Sequence, residues 1–245
     1  MNPTNTTNRS TRITRHIEHH GGGGTLSDII LGGQDGLVNV LGVILGIAAA
    51  TPGPRIIMAG GLAATFAESI SMAAVAYTST LADRDFYRAE SERERQEIQK
   101  MPEAEREEVR QIYRAWGLEG AALEEVVRQI TANEETWLQV MMADELKLQP
   151  VDDRTALRSA LIVGLAAIVG SLIPLIPFFF LVAGVLTRGG SIGVSLAVSA
   201  VALFLVGIYK ARQTVGRPGR SGLQMTVIGM ASALAGYGIG ALFGG

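Results

Sequence analysis

The sequence predicts an all-α integral membrane protein: five transmembrane helices, with a helical cytoplasmic domain inserted between the second and the third. Two observations predict it. The first is the absence of charge from long stretches. Residues 56–82 carry one charge, Glu68, residues 159–187, 189–209 and 221–245 carry none, and within 28–54 the only charge after Asp28 is Asp35. A helix crosses the ~30 Å hydrocarbon core of a bilayer in about 20 residues, and a soluble chain of 245 residues would not repeat that pattern five times. The second is where the charge went. The net charge of −2 is a cancellation: residues 83–153 hold 19 of the 23 acidic and 10 of the 21 basic residues, a local −9 against +7 elsewhere.

Composition narrows the chemistry. The absence of cysteine excludes disulfides, thiolate zinc sites and iron–sulfur clusters. Near-neutrality gives no electrostatic case for nucleic acid as a partner; the lipid bilayer is the partner the apolar runs demand.

Taken in order, residues 1–26 read as a disordered cytoplasmic tail, polar, with Arg9, Arg12 and Arg15 and a run of four glycines, and without the apolar core of a signal peptide. His16, His19 and His20 have metal-like spacing there but sit outside any expected fold. The first two spans are expected near 28–50 and 54–80, within a unit covering 27–82. Thr51 to Arg55 form a tight Pro- and Gly-containing loop between them. No breaker follows the second span, so its helix should run on into the charged segment. The third span, near 156–186, contains Pro174 and Pro177 and should kink or break there. The fourth and fifth are expected near 190–210 and 221–243, completing a unit over 154–245. Lys210, Arg212, Arg217 and Arg220 fall on the same side as the tail arginines, against only Arg55 and Arg188 opposite. The positive-inside rule then puts the N-terminus and residues 83–153 in the cytoplasm and the C-terminus outside.

Residues 83–153 should themselves fold. Pro102 suits a first helical turn and Gly117 a helix end. Leu123, Val126, Val127 and Ile130, then Trp137, Met141 and Leu148, recur at helical spacing, so an extended second helix and about three short helices are expected, with 134–148 as the last. The carboxylates fall in pairs that share helix faces: Glu94 with Glu97, and Glu105 with Glu108. Like charges so placed repel unless a cation bridges them. Glu145 follows Met141 by four and would share its face, adding a thioether to the oxygen donors, a bias towards transition metals. The plain alternative for any one pair is a solvated acidic face. A ferritin-like di-iron site would need Glu-x-x-His pairs, and 83–153 contain no histidine. With no nucleophile–base pair or phosphate loop either, an enzyme is not expected.

Two carboxylates remain inside the apolar runs. A charge at the bilayer centre costs roughly 2.5–3.5 kcal/mol on insertion scales, so such residues are functional candidates. Asp35, Asn39, Gly42 and Gly46 lie on one helix face, and the Gly42/Gly46 spacing permits close helix approach. Glu68 and Met72 are one turn apart. Gly236 and Gly240 repeat the small-residue spacing in the last span. The structural alternatives are an interfacial Asp35 and a Glu68 hydrogen-bonded to a neighbouring helix.

In combination these residues resemble the vacuolar iron transporter family, as a bacterial-type member. Asp35-Gly36-Leu37 in the first span is similar to that family's aspartate-glycine-leucine signature, Glu68-Ser69-Ile70-Ser71-Met72-Ala73 to its Ile-Ser-Met segment, followed here by Tyr77, and Ser171 to Phe178 to its Ile-Pro-Leu-x-Pro element. The resemblance covers about residues 27–243. It implies a homodimer whose inserted cytoplasmic domain binds metal, and a divalent transition-metal/proton antiport that moves Fe²⁺, with Mn²⁺ as a second substrate, out of the cytosol. Zn²⁺ and Co²⁺ are further candidates for binding, and no permanent cofactor is implied. Carried over by motif, Asp35 and Met72 line the path, with Asn39 and Glu68 beside them. Glu94, Glu97, Glu105, Glu108 and Glu145, with Met141 and Met142, form the metal-binding set. One position departs: the family glutamate two turns before the methionine falls here on Ala64, and a glutamate stands one turn later, at Glu68. The competing function is a membrane-anchored metal buffer or sensor, which needs the acidic helices but not Asp35 or Glu68. Ala, Gly and Arg richness points to a prokaryotic cytoplasmic membrane.

Overall fold

The computed structural model describes residues 22–213 and 216–244; His16, His19, His20 and the tail arginines lie outside them. Among the described residues every regular element is a helix. Five are long and apolar enough to cross a membrane: α1 (Gly22–Ala50), α2 (Pro54–Lys100), α6 (Asp153–Val182), α7 (Arg188–Gln213) and α8 (Pro218–Phe243). Between α2 and α6 lie α3 (Pro102–Ala115), α4 (Gly120–Thr131), α5 (Glu134–Val140) and a π-helical turn (Met141–Glu145).

The ends of the spans differ from the sequence expectation for local reasons. The first helix begins at Gly22, not Asp28, so residues 22–26 are helix rather than tail; Thr25 there accepts a hydrogen bond from Arg158 of α6 at 3.4 Å. The α6 helix starts at Asp153 because the Asp152 side chain caps it, accepting from the Arg154 N–H at 3.3 Å. It stops at Val182, short of 186, where Gly184 takes a positive φ of 76° and its N–H reaches back to the Leu181 carbonyl. The α7 start is drawn back to Arg188, with the Thr187 hydroxyl accepting from Gly190, and α8 opens on Pro218.

Of the kink or break expected at Pro174 and Pro177, the break does not occur: α6 is one helix through both. Each proline removes a backbone donor, the one that would have served the carbonyl four residues earlier, at Gly170 and at Ile173; the α7 hydroxyls meet the carbonyls of the prolines themselves. Ser195 donates to the Pro174 carbonyl at 2.8 Å and Ser191 to the Pro177 carbonyl at 3.1 Å.

Close packing builds the membrane bundle around α1, which contacts α2, α6, α7 and α8. Its core is Val40, Leu41, Ile44 and Leu45 of α1 against Leu175 and Phe178 of α6 and Ile57 of α2. Small residues let backbones touch. A Cβ at Gly36 would lie 2.3 Å from the Ala167 carbonyl oxygen, and one at Gly240 would lie 1.9 Å from that of Gly46, so neither position accepts a side chain. The two glycine-spaced motifs of α1 and α8 therefore pack on each other.

A second core lies apart from the first. Ile98 of α2, Val109 of α3, Leu123 and Val127 of α4, Trp137 and Leu138 of α5, and Met141 and Met142 close on one another. The α2 helix is uninterrupted over 47 residues and belongs to both cores. Arg84 ties its middle to the start of α6 through Asp153 at 2.7 Å.

Candidate functional site

The acidic helices converge where α2 turns into α3. Only Met101 separates the two, with φ −133° and ψ 49°; its N–H returns to the Glu97 carbonyl, and its own carbonyl accepts from Glu105 at 3.2 Å. This corner lays the first turns of α3 against the last turns of α2. Carboxylate oxygens of Glu94, Glu97 and Glu105 all come within 4.8 Å of one another. Glu94 and Glu105 are 2% and 4% exposed, and one oxygen of each is buried without a hydrogen-bond partner. Burying an unpaired polar oxygen is costly, so this arrangement is incomplete in itself.

The basic residues do not relieve it. Arg106 pairs with Glu103, Arg110 with Glu107 and Glu124, and Arg128 with Glu125. Among the described residues Glu97 has one distant base, Arg93 at 3.9 Å, and Glu94, Glu105, Glu108 and Glu145 have none. The electrostatics follow. Burial, then the neighbouring Glu105, push Glu94 up to about 8. Burial raises Glu105 as well. Glu145, at the rim, is pushed up to about 7 by burial of its carboxyl and by Glu108 and Glu105. Glu108 lies within hydrogen-bonding reach of both, which joins it and Glu145 to the three-glutamate centre.

The methionines and Glu145 sit differently from the helical reading. The last helix does not run through 134–148. It gives way at Met141 to a π turn, closed by the Leu146 N–H to the Met141 carbonyl at 3.0 Å, and Lys147 follows with φ 56°. Met141 and Glu145 are thus held by a wider turn than the four-residue spacing assumed. Met141 and Met142 are 0% and 1% exposed and pack in the apolar core beneath the glutamates.

In the membrane bundle the structure joins two residues that the sequence treats separately. Asp35 of α1 and Glu68 of α2 lie within hydrogen-bonding reach. Glu68 also lines an open cleft of about 710 Å³ with Asn39, Gly42 and Gly46 of α1 and Ser232 and Gly236 of α8. Ala64, at the departing position, packs instead against the apolar core. Met72 stands one turn beyond Glu68, half-buried. Ser232 is the lining residue that sequence reasoning missed; a serine in an apolar helix carries no signal of its own until its neighbours are known.

These features stand in a chain with known relatives. Residues 26–241 match the model of the VIT family. The chain is 34% identical over 234 residues to vacuolar iron transporter 1 of Oryza sativa subsp. japonica, across 93% of this chain and 91% of that one. It is 33% identical over 228 residues to the vacuolar iron transporter of Centaurea cyanus, with the same coverage. A more distant similarity, 28% over 234 residues, reaches the vacuolar iron transporter of Plasmodium falciparum (isolate 3D7), across 93% of this chain and 86% of that one. These relatives are named as transporters, not enzymes. With a match that extends into all five apolar helices, the chain is an integral membrane protein and belongs to the VIT family.

Proposed function

We propose that the protein carries Fe²⁺, and Mn²⁺ as a second substrate, out of the cytosol in exchange for protons. The observation that carries this reading is the contact between Asp35 and Glu68 inside the apolar spans, beside a cleft that also holds Asn39. A buffer or sensor has no need of ionisable groups there, and their cost is offset only by a cation or proton that uses them. The names of the relatives support iron as the substrate.

In this reading Glu94, Glu97 and Glu105, with Glu108 and Glu145 beside them, capture the ion from the cytosol. A divalent cation satisfies the two unpartnered buried oxygens and removes the repulsion among the carboxylates. Capture displaces protons from Glu94 and Glu145, because only the deprotonated carboxylates are ligands. The ion then passes to Asp35 and Glu68, with Met72 as a softer donor. Protons arriving from the far side compete for the same oxygens and release it. Glu68 takes the role that the family pattern gives to the position of Ala64. Two chains form a homodimer, with the N-terminus and residues 83–153 in the cytoplasm and the C-terminus outside, in a prokaryotic cytoplasmic membrane.

The test is flux in proteoliposomes. Fe²⁺, Mn²⁺, Co²⁺ and Zn²⁺ uptake is measured under an imposed proton gradient for the intact chain, for Asp35→Ala, and for a quadruple variant of Glu94, Glu97, Glu105 and Glu108. Asp35→Ala should abolish gradient-dependent flux. The quadruple variant should need more metal for the same flux while keeping a pathway. Near-normal flux through Asp35→Ala sinks the assignment.

A further inference from the structure

Away from Asp35 and Glu68, the seam between α1 and α6 changes character along its length. The two helices run in parallel, and each presents one continuous stripe to the seam. On α6 the stripe is Thr155, Arg158 and Ser159, then Ile162, Ala166 and Val169. On α1 it is Thr25 and Asp28, then Ile30, Gly33 and Leu37. The first two turns are polar and the rest is apolar except for Gln34 of α1. The polar turns, with Thr80 of α2, form a cup of about 320 Å³. The apolar turns, with Val206 and Tyr209 of α7, form a groove of about 480 Å³. Ile162 lines both, so cup and groove adjoin and make a slot of one polar and one apolar part on the flank of the bundle.

The cup holds one positive and one negative side chain that do not neutralise each other. Among the described residues Arg158 makes no ion pair, and its hydrogen bond is the long one to Thr25. Asp28 makes no ion pair with a described residue either. We propose that this slot binds one phospholipid with a zwitterionic, primary-amine headgroup, its phosphate on Arg158, its ammonium on Asp28 and an acyl chain in the groove.

Each part of that ligand answers a feature of the slot. A guanidinium offers paired N–H donors to phosphate oxygens. A primary ammonium donates N–H bonds to a carboxylate and to the threonine and serine hydroxyls around it. A choline headgroup has no N–H to donate, and a glycerol headgroup brings no positive charge to Asp28. But for Gln34 and the Tyr209 ring the groove is lined by apolar residues and glycine, and it lies on the membrane-spanning part of the bundle, where an acyl chain lies anyway. The charge order along the seam therefore selects the headgroup, while the groove fixes where the chain sits.

The experiment is lipid retention by the full-length protein, purified in mild detergent and supplied with phosphatidylethanolamine, phosphatidylcholine and phosphatidylglycerol in equal amounts. Native mass spectrometry reads which lipid stays bound. The intact chain should retain one phosphatidylethanolamine per chain, preferred by about tenfold, the worth of one charge-assisted hydrogen bond. Asp28→Asn should erase the preference over phosphatidylcholine, and Arg158→Gln should weaken retention of all three lipids by about tenfold. Ala166→Phe should empty the groove of its chain. Should that bulky variant fail to fold, the two polar variants, at the first turns of their helices, decide the matter. Equal retention of the three lipids by the intact chain, or an unchanged preference in Asp28→Asn, overturns the proposal.

Discussion

The fold buries Glu94 beside Glu105 and tolerates its charge poorly, and its titration should be visible as stability. Its ordinary value is 4.5, and burial beside Glu105 moves it to about 8 in the folded protein. A carboxyl raised on folding holds its proton more tightly in the native state. Its contribution is therefore fully present below about 4.5 and is lost as pH rises through about 8. Across that span, at about 1.36 kcal/mol per pH unit, the loss is on the order of 5 kcal/mol for Glu94 and Glu105, which titrate as a pair. Glu145 adds in the same direction. The two tryptophans of the chain, Trp116 and Trp137, both lie in the inserted helical segment, and Trp137 is buried in its core. Tryptophan fluorescence of the whole protein in detergent, with a chelator present, thus reports the melting of this part alone. The midpoint should fall steadily from pH 5 to pH 8, and Glu94→Gln, which keeps the shape without the charge, should flatten most of that slope. A midpoint that is level over this range, or one that falls as steeply in Glu94→Gln as in the parent, refutes the reasoning.

Further outcomes follow from the same geometry. Mn²⁺ at about 100 times its Kd should raise the stability of the inserted helices by about 2.7 kcal/mol at neutral pH, and the gain should vanish in Glu94→Gln/Glu105→Gln, read by the same fluorescence. Binding of Mn²⁺ near pH 7 should release about one to two protons, mainly from Glu94 and Glu145, with fewer released at pH 9; calorimetry in buffers of different ionisation enthalpy measures this. Met141→Ala should cost about 2–5 kcal/mol in the fluorescence melt, because its side chain is fully buried, and a purely ligating methionine would cost far less. Gly240→Leu should push α8 away from α1 and lower the detergent melting temperature, whereas Gly238→Leu, whose added Cβ meets no atom within 4 Å, should not.

The spans were readable because exclusion of charge over some 20 residues is what a hydrocarbon surrounding demands and what a watery one does not. Their ends were not, since each depends on a cap or neighbour outside the run, such as Asp152 for α6 or Arg158 beside Thr25 for α1. The serine hydroxyls of α7 that meet the Pro174 and Pro177 carbonyls stand 21 and 14 residues further on, a tertiary contact that no local rule for proline contains. Spacing placed Glu94 with Glu97 and Glu105 with Glu108, but only the corner at Met101 brings the two pairs together. The contact of Asp35 with Glu68 is the packing of α1 on α2, a tertiary fact. The π turn at Met141 was hidden because an added residue in a helical turn leaves the apolar pattern nearly unchanged.

The unbroken α2 helix sets a distance as well as a shape. Glu68 and Glu94 ride on the same rod, and at 1.5 Å per residue about 39 Å of helix separates them. No side chain spans that gap, and a rigid rod does not let one end be lowered to the other. In the proposed transport reading, an ion must leave the glutamates completely before Glu68 can meet it. Tighter capture would then lengthen the wait before each departure, so the acidic end serves transport best at an affinity that is only moderate.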